Sequence, residues 1–154
     1  MELLCIALLL GIPVLDLGIK YYIEKKIDKY SEKPILNGKI LIRKVHNKGM
    51  AFNFLDSYPK AVRWITGLSG IGIIIWMLFL LSKENIKMAK ISICMAVGGA
   101  ISNLYDRFFR KYVVDYFAFK SKWKKITNIT FNLGDLFIFA GMIGVLISFF
   151  SKEK

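Results

Sequence analysis

A chain of 154 residues has room for one domain and is short for two. With 55% hydrophobic and 22% charged residues, and the charges gathered between long apolar runs, its composition is unusual for a soluble protein. The formal net charge of +12 invites a nucleic-acid reading, but the basic residues flank the apolar runs and no nucleic-acid motif accompanies them, so anionic lipid headgroups are the simpler partner.

About 18 apolar residues suffice to cross a hydrocarbon core about 30 Å thick. Four runs approach that length: residues 3–22, 62–82, 86–105 and 133–150. In the first, Asp16 and Lys20 are spaced i, i+4 and share a face near the span's end. A pair snorkelling to the interface is the expectation for Lys20, while Asp16 lies deeper. This span is expected to be retained rather than cleaved as a signal peptide: it begins with Glu2, has no basic leader and lacks a small-residue cleavage site before Tyr21. Cys5 and Cys94 fall inside spans and read as apolar fillers with no disulfide or metal role.

Residues 23–61 form a polar insertion. "PILNGKILIRKV" contains Asn37-Gly38 between β-prone stretches, a two-residue hairpin signal, so a small sheet at the membrane surface is expected. The loop "HNKGMAFNFLDSYP" follows, with His46 read as a surface residue and Asn47 and Gly49 in a turn. The third span ends in "GGAISNLYDRFF": small residues suited to close helix approach, then Asn103, Asp106 and Arg107 at i, i+3 and i+4 on one face. By itself this is a polar helix end with Arg107 toward headgroups. A second insertion, residues 107–132, is basic and aromatic, and its "KITNITF" could add a strand to the sheet. No His, Cys or carboxylate cluster has metal-ligand spacing, and no cofactor motif is present.

Two aspartates stand out. Asp115 lies in the apolar "YVVDYFAF", and Asp135 opens the last span three residues after Asn132. Asn132-x-x-Asp135 alone reads as a helix cap. Together, on one side of the membrane, the two aspartates suggest a carboxylate pair. Such a pair shares one proton, so the ionised member can activate water while the protonated member polarises a carbonyl.

Five motifs in order, "DLGIK" (16–20), "NKGMAF" (47–52), "GGAISNLYDR" (98–107), "YVVDYF" (112–117) and "FNLGD" (131–135), resemble those of the lipoprotein signal peptidases, the signal peptidase II family of bacterial integral-membrane aspartyl proteases. The resemblance covers nearly the whole chain. It implies a mainly α membrane protein, one domain over residues 1–154, with four transmembrane helices and a small β-sheet cradle at the membrane surface. It implies Asp115 and Asp135 as the catalytic dyad, Asn47, Asn103, Arg107 and Asn132 as supporting and substrate-holding groups, and structural roles for Asp16, Lys20, Asp106 and Gly49. The implied reaction cleaves a prolipoprotein just before its diacylglyceryl-modified Cys, without metal or cofactor, by a monomer in contact with membrane phospholipid.

The implied place is the bacterial cytoplasmic membrane, with cytoplasmic termini and the active site toward the outer face. Charge opposes that orientation: nine Lys and Arg fall between residues 25 and 60 and seven between 107 and 125, against five on the opposite side. Leu17, Met50, Ser102 and Gly134 stand where the family usually has Gln, Ala, Gly and Ala. These departures leave a second reading, a non-catalytic relative that binds lipoprotein precursors or lipids. A third is a small transporter lined by Asp16, Asn103 and Asp135, against which the lack of an internal repeat counts.

Overall fold

The computed structural model describes residues 1–49 and 55–151. Residues 50–54, which include Met50, and residues 152–154 lie outside that description. Among the described residues, four helices are long and apolar enough to cross a membrane: α1 (Glu2–Lys26), α2 (Pro59–Leu81), α3 (Lys87–Tyr105) and α5 (Leu133–Phe150). They match the four sequence runs, with α1 extending a turn beyond the expected end. The chain is mainly helical, with one small sheet, as the motifs implied.

Helix α3 is the hub, packing against α1, α2 and α5. Its sequence explains why. Ala89, Ile93, Cys94, Ala96, Val97, Gly98 and Gly99 are all buried, and small residues let helix backbones meet where lipid offers no hydrophobic drive. At Gly99 a Cβ would strike the carbonyl of Gly134 on α5, backbone against backbone. We expect Gly99→Ala to destabilise the bundle by about 1–3 kcal/mol, because overpacking here can be relieved only by parting α3 from α5. The control is Gly72→Ala, where a Cβ meets nothing within 4 Å. Thermal unfolding of both variants in detergent checks the difference. Cys5 and Cys94 are buried in the core with Met77, Leu80 and Val145. Helix α2 instead exposes Trp64, Leu68, Ile71, Ile75, Leu78 and Phe79, the face of a helix that borders lipid.

The sheet is antiparallel in the order β1 (Lys33–Ile35), β2 (Ile40–Asn47), β3 (Val113–Phe119). The hairpin lies at the expected place, but its connection has four residues, 36–39. Strand pairing stops at Ile35 with Ile40, and Leu36, Asn37 and Gly38 all adopt left-handed φ angles of 50°, 56° and 78°. The Gly38 N–H donates to the Ile35 carbonyl at 3.0 Å and the Lys39 N–H to the Leu36 carbonyl at 3.2 Å, so two overlapping turns reverse the chain and the Asn-Gly turn is the second of them.

The strand expected from "KITNITF" is mostly absent. Lys124–Thr127 is a short helix, α4, because the Thr127 hydroxyl accepts from the Ser121 N–H (2.9 Å) and donates to its carbonyl (3.1 Å), folding the segment on itself. Only Phe131 bridges to Phe117 of β3.

One face of β3, Val114 and Tyr116, packs with Ile23 of α1 and with Ile19, Ile27 and Leu133. The other face carries Val113 and Asp115. Between α3 and β3 a π-helical turn (Asp106–Arg110) ends at Lys111, whose φ of 73° reverses the chain into the strand.

Candidate active site

A cavity of about 890 Å³ opens at the sheet end of the bundle. Val45, Asn47, Val113 and Asp115 form its floor, and Arg107, Asp135 and Phe139 line it from the helices. The two aspartates singled out in the sequence thus meet in one cavity, one from a strand and one from a helix start.

Asp115 is 3% exposed. Its Oδ2 accepts from Asn47 Nδ2 at 3.0 Å and its Oδ1 from Asn132 Nδ2 at 2.7 Å. Burial, and then the neighbouring charge of Asp135, push its carboxyl up to about 7, against the two amide donors that favour the charged form.

Asp135 occupies the first turn of α5, where a full capping box forms. Asn132 Oδ1 accepts from the Asp135 N–H (2.9 Å), and Asp135 Oδ2 accepts from the Asn132 N–H (3.1 Å). Asp135 Oδ1 accepts from Asn103 Nδ2 at 2.8 Å. The cap reading of Asp135 therefore holds, and Asp135 also lines the cavity that Asp115 lines. Asn132 serves both aspartates, its oxygen toward the helix and its amide toward Asp115.

Arg107 does not turn to the headgroups, as its place at a helix end suggested. Its guanidinium lines the cavity and donates to the Gly49 carbonyl at 2.9 Å, while its buried Nε has no hydrogen-bond partner among the described residues. Gly49 is held in turn by its own N–H, which donates to Asn47 Oδ1 at 3.0 Å.

Lys20 requires the largest correction. It is fully buried, with Nζ 2.8 Å from Asp16 and 3.2 Å from Asp106, and it donates to Ser102 Oγ and Asn103 Oδ1 at 2.9 Å each. Snorkelling fails because the Asp16–Lys20 face of α1 turns inward onto α3, whose small residues admit it. Asp106 also accepts from Arg110 (2.9 Å) and from the Val114 N–H (3.1 Å), tying the π-turn to β3. The Lys20 ammonium fixes the Asn103 amide: with Oδ1 occupied by a cation, Nδ2 faces Asp135.

His46 is half-buried rather than on the surface. Its Nε2 lies 2.7 Å from Glu24 Oε1, and its ring stacks on Tyr112 at 4.1 Å.

Two contributors carried no sequence signal. The Ser102 hydroxyl, noted only as a departure, donates to Asp16 and accepts from Lys20. The Tyr116 hydroxyl donates to Asp16 Oδ1 at 2.9 Å and accepts from the Leu133 N–H at 2.9 Å. In "YVVDYF" a tyrosine among apolar neighbours gives no sign that its oxygen is used. Among the described residues no group of three His, Cys, Asp or Glu side chains is placed to hold a metal.

The chain matches the profile of the family described as Signal peptidase (SPase) II over residues 8–151. It is similar to the lipoprotein signal peptidase of Clostridium acetobutylicum, with 32% identity over 153 residues, 99% of this chain and 96% of the relative. The enzyme of the same name from Fusobacterium nucleatum is 28% identical over 155 residues, covering 99% and 91%. That of Vibrio parahaemolyticus is 32% identical over 149 residues, covering 90% and 82%. Two solved structures, each described as a bacterial membrane enzyme, share the fold. One has a TM-score of 0.82 at 20% identity, covering 97% of this chain and 92% of that one. The other has 0.80 at 19%, covering 96% and 93%. With the profile spanning nearly its whole length, this chain belongs to the signal peptidase II family and is a multi-pass membrane peptidase of the aspartic type.

Proposed function

We propose that the protein removes signal peptides from prolipoproteins, cutting just before the diacylglyceryl-modified Cys, with Asp115 and Asp135 as the dyad. The observation that carries the reading is the convergence of these two carboxyls on one cavity, each held by an asparagine amide. A base on the rigid first turn of α5 and an acid on β3 can act on opposite sides of one peptide bond.

In this mechanism Asp135 takes a proton from water as its oxygen attacks the scissile carbonyl carbon, and Asp115 gives its proton to the carbonyl oxygen. Collapse of the tetrahedral intermediate returns a proton to the leaving nitrogen, supplied through Asp135, and Asp115 recovers its own. Asn47 and Asn132 hold Asp115, Asn103 holds Asp135, and Arg107 presents unused N–H groups to the substrate backbone. No covalent intermediate forms.

On this reading the sheet end faces outward and both termini are cytoplasmic, because a lipidated precursor reaches the enzyme at the outer leaflet. The basic connections then lie outside, against the usual bias. The test is incubation of the purified protein with a lipidated prolipoprotein. A product beginning at the modified Cys is expected, and binding without turnover would favour the non-catalytic alternative.

The pH dependence has a definite sign. The reaction needs one proton on the pair, and Asp115 holds one below about 7. We expect kcat/KM to fall above that pH, approaching tenfold per unit, as the second carboxyl ionises. A rate flat from pH 6 to 9 would contradict the assignment.

A further inference from the structure

We propose that Tyr116 is a positioning residue for this reaction: its hydroxyl, bridging Asp16 and the first N–H of α5, sets the spacing of the two carboxyls. The inference rests on the dyad reading above.

Asp115 and Asp135 sit on different elements, so their separation is set by whatever ties β3 to the start of α5. Backbone bonds supply part of the tie: the Tyr116 and Phe117 N–H groups donate to the Phe131 carbonyl at 2.9 and 3.0 Å. Two side-chain ties remain. One, Asn132 Nδ2 to Asp115 Oδ1, runs through the dyad itself and changes whenever the proton moves. The other is Tyr116.

Tyr116 is 5% exposed and alternates with Asp115 along β3, so it points away from the cavity and cannot touch substrate. Its oxygen accepts the Leu133 N–H, one of the donors a helix start leaves unpaired, while its proton goes to Asp16 Oδ1, which also accepts that N–H at 3.1 Å. Asp16 is anchored on its other oxygen by Lys20 and Ser102. Leu133 is two residues from Asp135, and Tyr116 adjoins Asp115. The Tyr116 oxygen thus couples the two segments to a cluster in which Asp16, Lys20 and Ser102 are fully buried. Burial, with the charge of Asp16 next, pushes the phenol above its ordinary range, so it remains a donor at every pH at which the dyad works. The tie therefore persists while the bonds around Asp115 rearrange.

The experiment is Tyr116→Phe, which removes only that oxygen, assayed with a lipidated prolipoprotein beside thermal unfolding. The expected result is kcat lowered roughly 5- to 20-fold with KM within twofold, since misplacing a catalytic group by a fraction of an ångström acts on the chemical step. Unchanged kcat, even with lower thermal stability, would mean that Tyr116 only stabilises the fold. A raised KM with intact kcat would equally overturn the proposal. Should the variant not fold, 3-fluorotyrosine at position 116 keeps ring and hydroxyl but weakens the acceptor. A kcat lowered at least twofold supports the tie, and an unchanged kcat refutes it. Asp115→Asn separates the two readings. If that variant is inactive and Tyr116→Phe is normal, only this inference fails; if Asp115→Asn is fully active, the dyad fails and this inference with it.

Discussion

Lys20→Met should destabilise the protein by about 3–5 kcal/mol, because it strips the counter-charge from two carboxylates that have no access to water. Asp16 and Asp106 are both fully buried, and the Lys20 ammonium is the one side-chain cation within ion-pair distance of Asp16 among the described residues. Asp106 keeps Arg110 at 2.9 Å, so the greater strain falls on Asp16. For a chain of this length each kcal/mol moves the unfolding midpoint by about 2–4 °C, so a drop of roughly 10 °C in detergent is expected. Lys44→Met is the internal comparison: its ion pair with the Glu24 carboxylate is 3.9 Å and partly exposed, beside a 3.1 Å bond to the Glu24 carbonyl, and their loss should cost about 1 kcal/mol. A triple change, Asp16→Asn, Lys20→Met and Asp106→Asn, should recover part of the loss, because removing a buried ion cluster entirely costs less than breaking it. A Lys20→Met variant as stable as the parent would show that the cluster is not held as described.

The cluster marks the boundary of what the sequence could reveal. The i, i+4 spacing put Asp16 and Lys20 on one face of α1, and that was right. Which way the face turned depends on α3, where Gly98 and Gly99 allow close approach and Ser102 and Asn103 offer partners. Such a contact across more than eighty residues has no local signature. The spans were legible because hydrocarbon demands length and apolarity, and the Asn132–Asp135 box because caps obey fixed spacing.

The small sheet was legible in outline only. Asn37-Gly38 marked the hairpin, but whether two or four residues turn is decided by strand register. The second insertion misled because β-prone Ile and Thr at 126–130 fold back through a threonine hydroxyl. Gly134, where the family usually has Ala, sits where a Cβ would lie 3.0 Å from Asn132 Oδ1, Asp16 Oδ2 and the Gly99 carbonyl oxygen. In this chain the missing methyl relieves crowding against Asn132, Asp16 and Gly99.

Alone, Asp135 reads as a helix cap and Asp115 as a strand residue, and the proposed dyad rests on their pairing in one cavity. The most direct measurement is therefore cleavage of a lipidated prolipoprotein by Asp115→Asn and Asp135→Asn, with thermal unfolding recorded alongside. Asn keeps the shape of each side chain but can accept only one of the two hydrogen bonds that hold it, so the unfolding record establishes that each variant is folded before its activity is read. Neither can exchange a proton with water or the scissile carbonyl, so each should lose activity on the order of 10³-fold. Full activity in either folded variant would contradict the dyad.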